Sequence, residues 1–150
     1  MILNGGVRTT EPVRVAYRQL SSDEDEAKAI TDLLSRLTNL YGSYTMIYDH
    51  SMVVNFDPPG DPERKREVMI PVPHEIEGVE TKVFPSLRAA FLVFKGVGTS
   101  MDRYYKDLWD YIEEAGLEHS DKIYSIEIMY VPEDVDNVDY TMEIMIPLKS

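Results

Sequence analysis

Residues 67–72 read EVMIPV and residues 143–148 read EIMIPL, one strand-like pattern repeated 76 positions later. Working outward, Ala16 and Tyr17 match Ala90 and Phe91, Gly42 matches Gly116, and Phe56, Asp57 and Pro58 match Tyr130, Val131 and Pro132, all at an offset of 74. The two-residue slip falls between Pro58 and Glu67 or in the counterpart of that stretch, where a loop tolerates insertion. The chain therefore reads as a single domain, 1–150, made of two halves on one plan, about 7–73 and 80–149.

Each half opens on an extended segment rich in β-branched and aromatic residues, 13–20 in the first and 82–94 in the second. A helix follows. Ser21 with Glu24, and Thr99 with Asp102, fit the hydroxyl-x-x-acid capping box, and the acids at 23–26 suit the positive end of a helix dipole. Ile30, Leu33, Leu34, Leu37, Leu40 and Tyr41 keep three-four spacing in the first helix. Met101, Tyr104, Tyr105, Leu108, Trp109, Ile112 and Ala115 do so in the second, and Gly42 and Gly116 stop the two helices. Two more strands are predicted after each glycine, 51–56 and 67–72, then 122–130 and 140–148, while 44–48 is strand-like without an assigned place. The expectation is an α+β fold: a tandem repeat of two strand-helix-strand-strand units with pseudo-twofold symmetry, antiparallel sheets, helices on one sheet face and a central ligand cleft along the seam.

Composition narrows the function. The 150 residues carry 15 Lys plus Arg against 27 Asp plus Glu, a net charge of −12, whereas duplex binding rests on cations that replace phosphate counterions. The longest basic run, Arg64, Lys65 and Arg66, sits in a proline-rich turn, so no direct nucleic-acid partner is expected. Residues 1–75 hold 8 basic and 12 acidic side chains and residues 76–150 hold 7 and 15, which favours a cationic or neutral ligand over an anion. The absence of cysteine removes disulfides, thiolate metal sites and thiol nucleophiles. Residues 1–17 lack a signal-peptide pattern and no apolar stretch nears the roughly 20 residues that span a bilayer, so a soluble, cytoplasmic protein without a membrane partner is expected.

His50, His74 and His119 lie in predicted loops without metal-ligand spacing, and neither the acids at 23–26 nor Glu133, Asp134, Asp136 and Asp139 follow the calcium-loop pattern. No metal or cofactor is expected. Gly96 and Gly98 before the second helix read as a tight turn rather than an anion site, since no P-loop lysine follows, and there is no nucleophile-elbow motif. Nothing in the sequence sets the oligomeric state.

Candidates for chemistry come from strand alternation. Along 124–130, Tyr124, Ile126, Ile128 and Tyr130 share the expected core face, and Ser125, Glu127 and Met129 share the other. Met142, Ile144 and Ile146 are likewise core candidates, so Glu143 and Met145 stand opposite, and both carboxylates with both methionines are expected on the helix-free face. In the first half Glu67 and Met69 match Glu143 and Met145, and Val53 and Asn55 match Glu127 and Met129. Two readings stand. The carboxylates solvate the exposed face of a half-buried sheet, or a partly buried carboxylate among Met and Tyr attracts a cation or holds a raised pKa suited to acid-base work. Tyr105 and Trp109, one turn apart, either join the core stripe or, for Tyr105, reach into the seam, where ring and hydroxyl both engage a ligand.

In order and spacing these segments resemble the GyrI-like small-molecule-binding family, which includes effector-binding domains of multidrug-responsive transcription regulators. The resemblance covers nearly the whole chain. It is carried by FPSLRAAFLVFKGVG (84–98), YYKDLWDYIEEAGLE (104–118) and YSIEIMYVPEDVDNVDYTMEIMIPL (124–148), with the first half matching through the repeat plan and EVMIPV. It implies a cleft at the junction of the two units, a glutamate on the first strand of the last hairpin reaching into it, matched by Glu127, and a lining aromatic on the second helix, matched by Tyr105 and then Trp109.

The use that the resemblance implies first is stand-alone binding of a hydrophobic, cationic or neutral aromatic compound. Met69, Met129, Met145, Tyr105 and Trp109 would line the cleft and Glu127 would pair with the charge, with Asn55 and Glu143 beside it. A second implied use is hydrolysis of strained or electrophilic small molecules, Glu127 activating water or protonating a leaving group while Tyr105 orients the substrate. A third is a protein-interaction module such as a topoisomerase inhibitor. A DNA-binding helix-turn-helix has no room before Val13, and no axial histidine supports haem.

Overall fold

The computed structural model describes residues 2–21, 23–41, 50–96, 101–130 and 140–149. In chain order the elements are β1 (Ile2–Thr9), β2 (Val13–Leu20), α1 (Glu26–Tyr41), β3 (His50–Asn55), β4 (Arg66–Pro71), β5 (Thr81–Phe84), β6 (Arg88–Gly96), α2 (Asp102–Glu114), β7 (Ser125–Tyr130) and β8 (Tyr140–Pro147). These strands form one antiparallel sheet in the order β1-β6-β8-β7-β3-β4-β2-β5, with α1 packed on β2 and β4 and α2 packed on β6 and β8. The fold is thus α+β, with the two recurring segments 67–72 and 143–148 falling on β4 and β8.

Register follows the sequence repeat. Ala16 stands opposite Ile70 in β2–β4 as Ala90 stands opposite Ile146 in β6–β8. Met52 meets Met69 in β3–β4 as Ile126 meets Met145 in β7–β8.

The sheet is curled by its own connections. β1 and β6 lie at one end of the strand order, and β2 and β5 lie at the other, six neighbours away in each case. On a flat sheet that distance is about 29 Å, at about 4.8 Å per neighbour. Yet Thr9 is joined to Val13, and Phe84 to Arg88, by three intervening residues, a reach of about 14 Å at most. The two ends must therefore approach each other. The linkers are tied where they meet: Thr10 N donates to Leu87 O (2.8 Å), Leu87 N to Thr10 Oγ1 (2.9 Å) and Ser86 Oγ to Thr10 O (2.6 Å).

Curling buries both faces. On the helix side, Ala29, Leu33 and Leu37 of α1 pack on Ala16, Val53, Val68 and Ile70, and Tyr104, Leu108 and Ile112 of α2 pack on Ala90, Phe94, Ile144 and Ile146. On the helix-free side a third core joins Val15, Met52, Val54, Met69, Phe84, Phe91, Ile126, Ile128 and Met145.

Four expectations change. Residues 82–94 are not one strand: the chain leaves β5 at Pro85, which has no N–H for a ladder, and β6 begins on the other side of the sheet. β1, absent from the sequence reading, is an edge strand whose Ile2 and Leu3 are exposed, so it carries no clean alternation. The cap of α1 is Asp25, whose Oδ1 accepts from Ala27 N (2.9 Å), while Ser21 and Glu24 close the turn before it. Leu40, placed on the core stripe of that helix, is exposed. The stop at Gly116 is as expected: its φ of +67° suits glycine, and Leu117 N closes on Ile112 O (3.0 Å). Gly42, the Thr99 cap, Gly98, segment 44–48 and the acids at 133–139 lie outside the described residues.

Candidate functional site

Because the helices lie over the outer strands, the central pair β3–β7 forms the floor of a seam between them. Its rows are fixed by register: Asn55 with Ser125, Val53 with Glu127, and Ser51 with Met129. Val53 belongs to the core beneath α1, so all six side chains face the helices. At the Asn55 end opens a cavity of about 390 Å³, within the roughly 300–1,000 Å³ typical of small-molecule sites.

Glu127 is the polar centre of that cavity. Tyr105 Oη donates to Glu127 Oε2 at 2.6 Å and Asn55 Nδ2 donates to the same oxygen at 3.1 Å, while Oε1 has no partner among the described residues. Ser125 Oγ closes the network, 3.0 Å from Tyr105 Oη and 3.1 Å from Asn55 Nδ2. Burial pushes the Glu127 carboxyl above the usual carboxylate range; the Tyr105 and Asn55 donors and Arg64 oppose this, and the charge of Glu26 adds to it. Burial also raises the Tyr105 hydroxyl far above its ordinary value, with the neighbouring Glu127 charge acting in the same direction. Tyr105 is therefore a fixed donor.

The aromatic wall follows from helix geometry. Tyr104, Leu108 and Ile112, at i, i+4 and i+8, are the buried stripe of α2, so the next stripe round, Tyr105 and Trp109, turns to the seam. The Trp109 ring lies 5.7 Å from that of Tyr124 and meets His119 edge-on at 5.3 Å. At the rim are Glu26, Asp102 and Arg64, and the Oε1 of Glu26 is already held by Arg66 Nη1 at 2.6 Å.

The structure thus brings together Glu127, Tyr105, Trp109 and Asn55. Met129 shares their face, one row beyond Glu127. Glu143, Met145 and Met69 are on the opposite side of the sheet, a correction to the expectation that both carboxylates and both methionines share the helix-free face. Directly paired residues share a face, and β7–β8 register sets Glu127 against Ile144 but Glu143 against Ile128. Ile126 and Ile128 are core residues as expected, but of the helix-free core. With both faces buried, alternation alone does not tell which one the helices cover. Met69 and Met145 are 0% and 4% exposed in that core. Glu143, fully buried, pairs with Arg8 and accepts from Tyr130 Oη at 2.7 Å.

Tyr124, Ser125, Arg64 and Glu26 were not foreseen at the site. Alternation groups Tyr124 with Ile126 and Ile128 in the core, but Tyr124 precedes β7 and lines the cavity instead. Its N–H goes to Asn55 O (2.9 Å), which delivers the side chain to the cavity mouth.

A family model of the GyrI-like small molecule binding domain matches residues 7–149. The chain belongs to this family. No curated protein matches the sequence. Among solved structures, this GyrI-like chain superposes on the EcmrR C-terminal domain with a TM-score of 0.74 and 13% identity, covering 98% of each chain. Against EcmrR in its DNA complex the TM-score is 0.75 at 13% identity, over 98% of this chain and 57% of the other, so the chain spans little more than half of that protein. SAV2435 bound to tetraphenylphosphonium gives 0.56 at 12% identity, covering 99% and 95% of the two chains. A hydrolase from Listeria innocua gives 0.66 at 9% identity, covering 97% and 91%. At these identities the likeness is one of fold.

Proposed function

We propose that this GyrI-like protein binds a hydrophobic aromatic cation in the seam, with Glu127 as counter-charge and Tyr105, Trp109 and Tyr124 as the rings that receive it. The observation that carries this is a contrast among carboxylates of one sheet. Glu143 is paired with Arg8 and Glu67 with Lys82 (2.5 Å), but Glu127 has only the neutral donors Tyr105 and Asn55 and no ion pair among the described residues. A half-buried carboxylate without a cation of its own, among aromatic rings, is a site for a cation from outside. The tetraphenylphosphonium bound to SAV2435 has this chemistry.

The proposal includes the finer architecture. The two halves act as a tandem repeat about a pseudo-twofold axis through the Val53–Glu127 row: 53 and 127 differ by the repeat offset of 74 and stand directly opposite each other. At the axis the first half supplies valine and the second supplies the carboxylate, so one charge serves a cleft built by both halves. Asn55 and Met129 flank it on the same floor. Met69, Met145 and Glu143 bind no ligand in this reading.

Calorimetric titration with tetraphenylphosphonium near neutral pH tests it. Glu127→Gln keeps the shape and should weaken binding at least tenfold, about 1.4 kcal/mol. Equal affinity in both proteins would remove Glu127 from the site.

A second reading is favoured by the upward-shifted carboxyl of Glu127 in contact with the Tyr105 hydroxyl, a pairing suited to general acid-base catalysis. Here the protein hydrolyses an electrophilic small molecule. Glu127→Gln would then abolish turnover while neutral ligands still bind, and a screen of strained electrophiles with product detection separates the two.

A further inference from the structure

Four of the six side chains on the seam floor are polar: Asn55, Ser125, Glu127 and Ser51. The first three hydrogen-bond to one another, Glu127 through its Oε2 alone. Ser51 does not join them: it is 1% exposed and its Oγ has no hydrogen-bond partner among the described residues. Alternation fixes its side, since Met52 and Val54 lie in the helix-free core while Val53 packs under α1. A buried hydroxyl without a partner opposes folding, and an alanine in its place would not. Its cross-strand neighbour Met129 is only partly buried, and a methionine side chain changes rotamer readily.

We infer that Ser51 is the far subsite of the same cleft, where its hydroxyl meets a hydrogen-bonding group of the ligand once Met129 moves aside. This rests on the cation reading of Glu127. Ser51 and Glu127 are diagonal neighbours across β3–β7, about 7–8 Å apart. The ligand class is therefore narrower than a hydrocarbon cation: it carries a hydroxyl or carbonyl about one ring's length from its charge.

Tetraphenylphosphonium and (4-hydroxyphenyl)triphenylphosphonium form the test pair, since the para-hydroxyl stands across one ring from the phosphorus. The wild-type protein should prefer the hydroxylated cation by about tenfold, the scale of one added hydrogen bond in a buried site. Ser51→Ala should bring that ratio to about one, and its Tm should not fall below that of the wild type. A wild-type ratio near one, a preference that survives Ser51→Ala, or a lowered Tm in the variant would each overturn the inference. The cation reading is judged separately: if tetraphenylphosphonium binds and Glu127→Gln weakens it, only the Ser51 subsite falls, whereas if neither cation binds, both fall.

Discussion

Burial makes the charge of Glu127 costly, and titration exposes that cost. Because its carboxyl is shifted upward in the folded protein, the native state binds more protons than the unfolded chain between the ordinary carboxylate value of 4.5 and the raised one. Stability from this group is therefore greatest below that window and falls as pH rises through it. Glu127→Gln should raise Tm at pH 7 to 8, by a margin that shrinks to nothing as the pH is taken below 4.5; thermal melts across that range check it. Tyr105→Phe acts in the other direction, removing the 2.6 Å donor that favours the ionised form. It should cost about 1.5–3 kcal/mol at neutral pH, the range for a hydrogen bond to a charged group, and shift the Glu127 carboxyl signal upward in an NMR titration. At this scale the sequence was informative where one residue type had one use: a lone glutamate in an apolar strand and a tyrosine one stripe off the core. Tyr124 and Ser51 were not legible as site residues, because a ring next to a strand and a serine inside one look the same whether they pack or bind.

Elements were more legible than their ends. The helices announce themselves through apolar spacing, and Gly116, just past the Ala115 cap of α2, takes the positive φ that turns the chain away. The sequence points to Ser21 as the cap of α1, but Asp23 and Asp25 carry N-capping side chains within the same stretch. Geometry selects Asp25, which reaches the N–H groups of Ala27 and Lys28 at 2.9 and 3.5 Å. Asp25→Ala should cost about 1 kcal/mol in urea unfolding, as cap removal does, and Ser21→Ala distinctly less. The break at Pro85 and the edge strand β1 were hidden for a different reason. Both serve closure of the curled sheet, a long-range demand that leaves no local periodicity.

In the proposed tandem-repeat architecture, closure should link the two halves into one cooperative body. Arg8 of β1 and Lys82 of β5 differ by the offset of 74, as do the rings beneath them, Phe91 and Tyr17, at 4.4 and 4.0 Å. Each cation reaches a carboxylate of the repeated motif, Arg8 to Glu143 and Lys82 to Glu67. The strand before each unit is paired with the other unit, β1 with β6 and β5 with β2, so each of these ion pairs fastens one half to the other. Arg8→Met leaves fully buried Glu143 without its cation and should cost about 3 kcal/mol, the low end for a broken buried pair, because the Arg8 side chain is itself 40% exposed. Adding Glu143→Met should recover most of that loss, since the orphaned charge goes with it. Exchange of strands also sets the form of unfolding. Trp109, the only tryptophan, reports on the second half, and far-UV circular dichroism reports on the whole sheet. The two signals should trace one urea transition in the wild type and in Arg8→Met alike. Separate transitions would mean that the halves unfold independently and that the exchanged strands do not couple them.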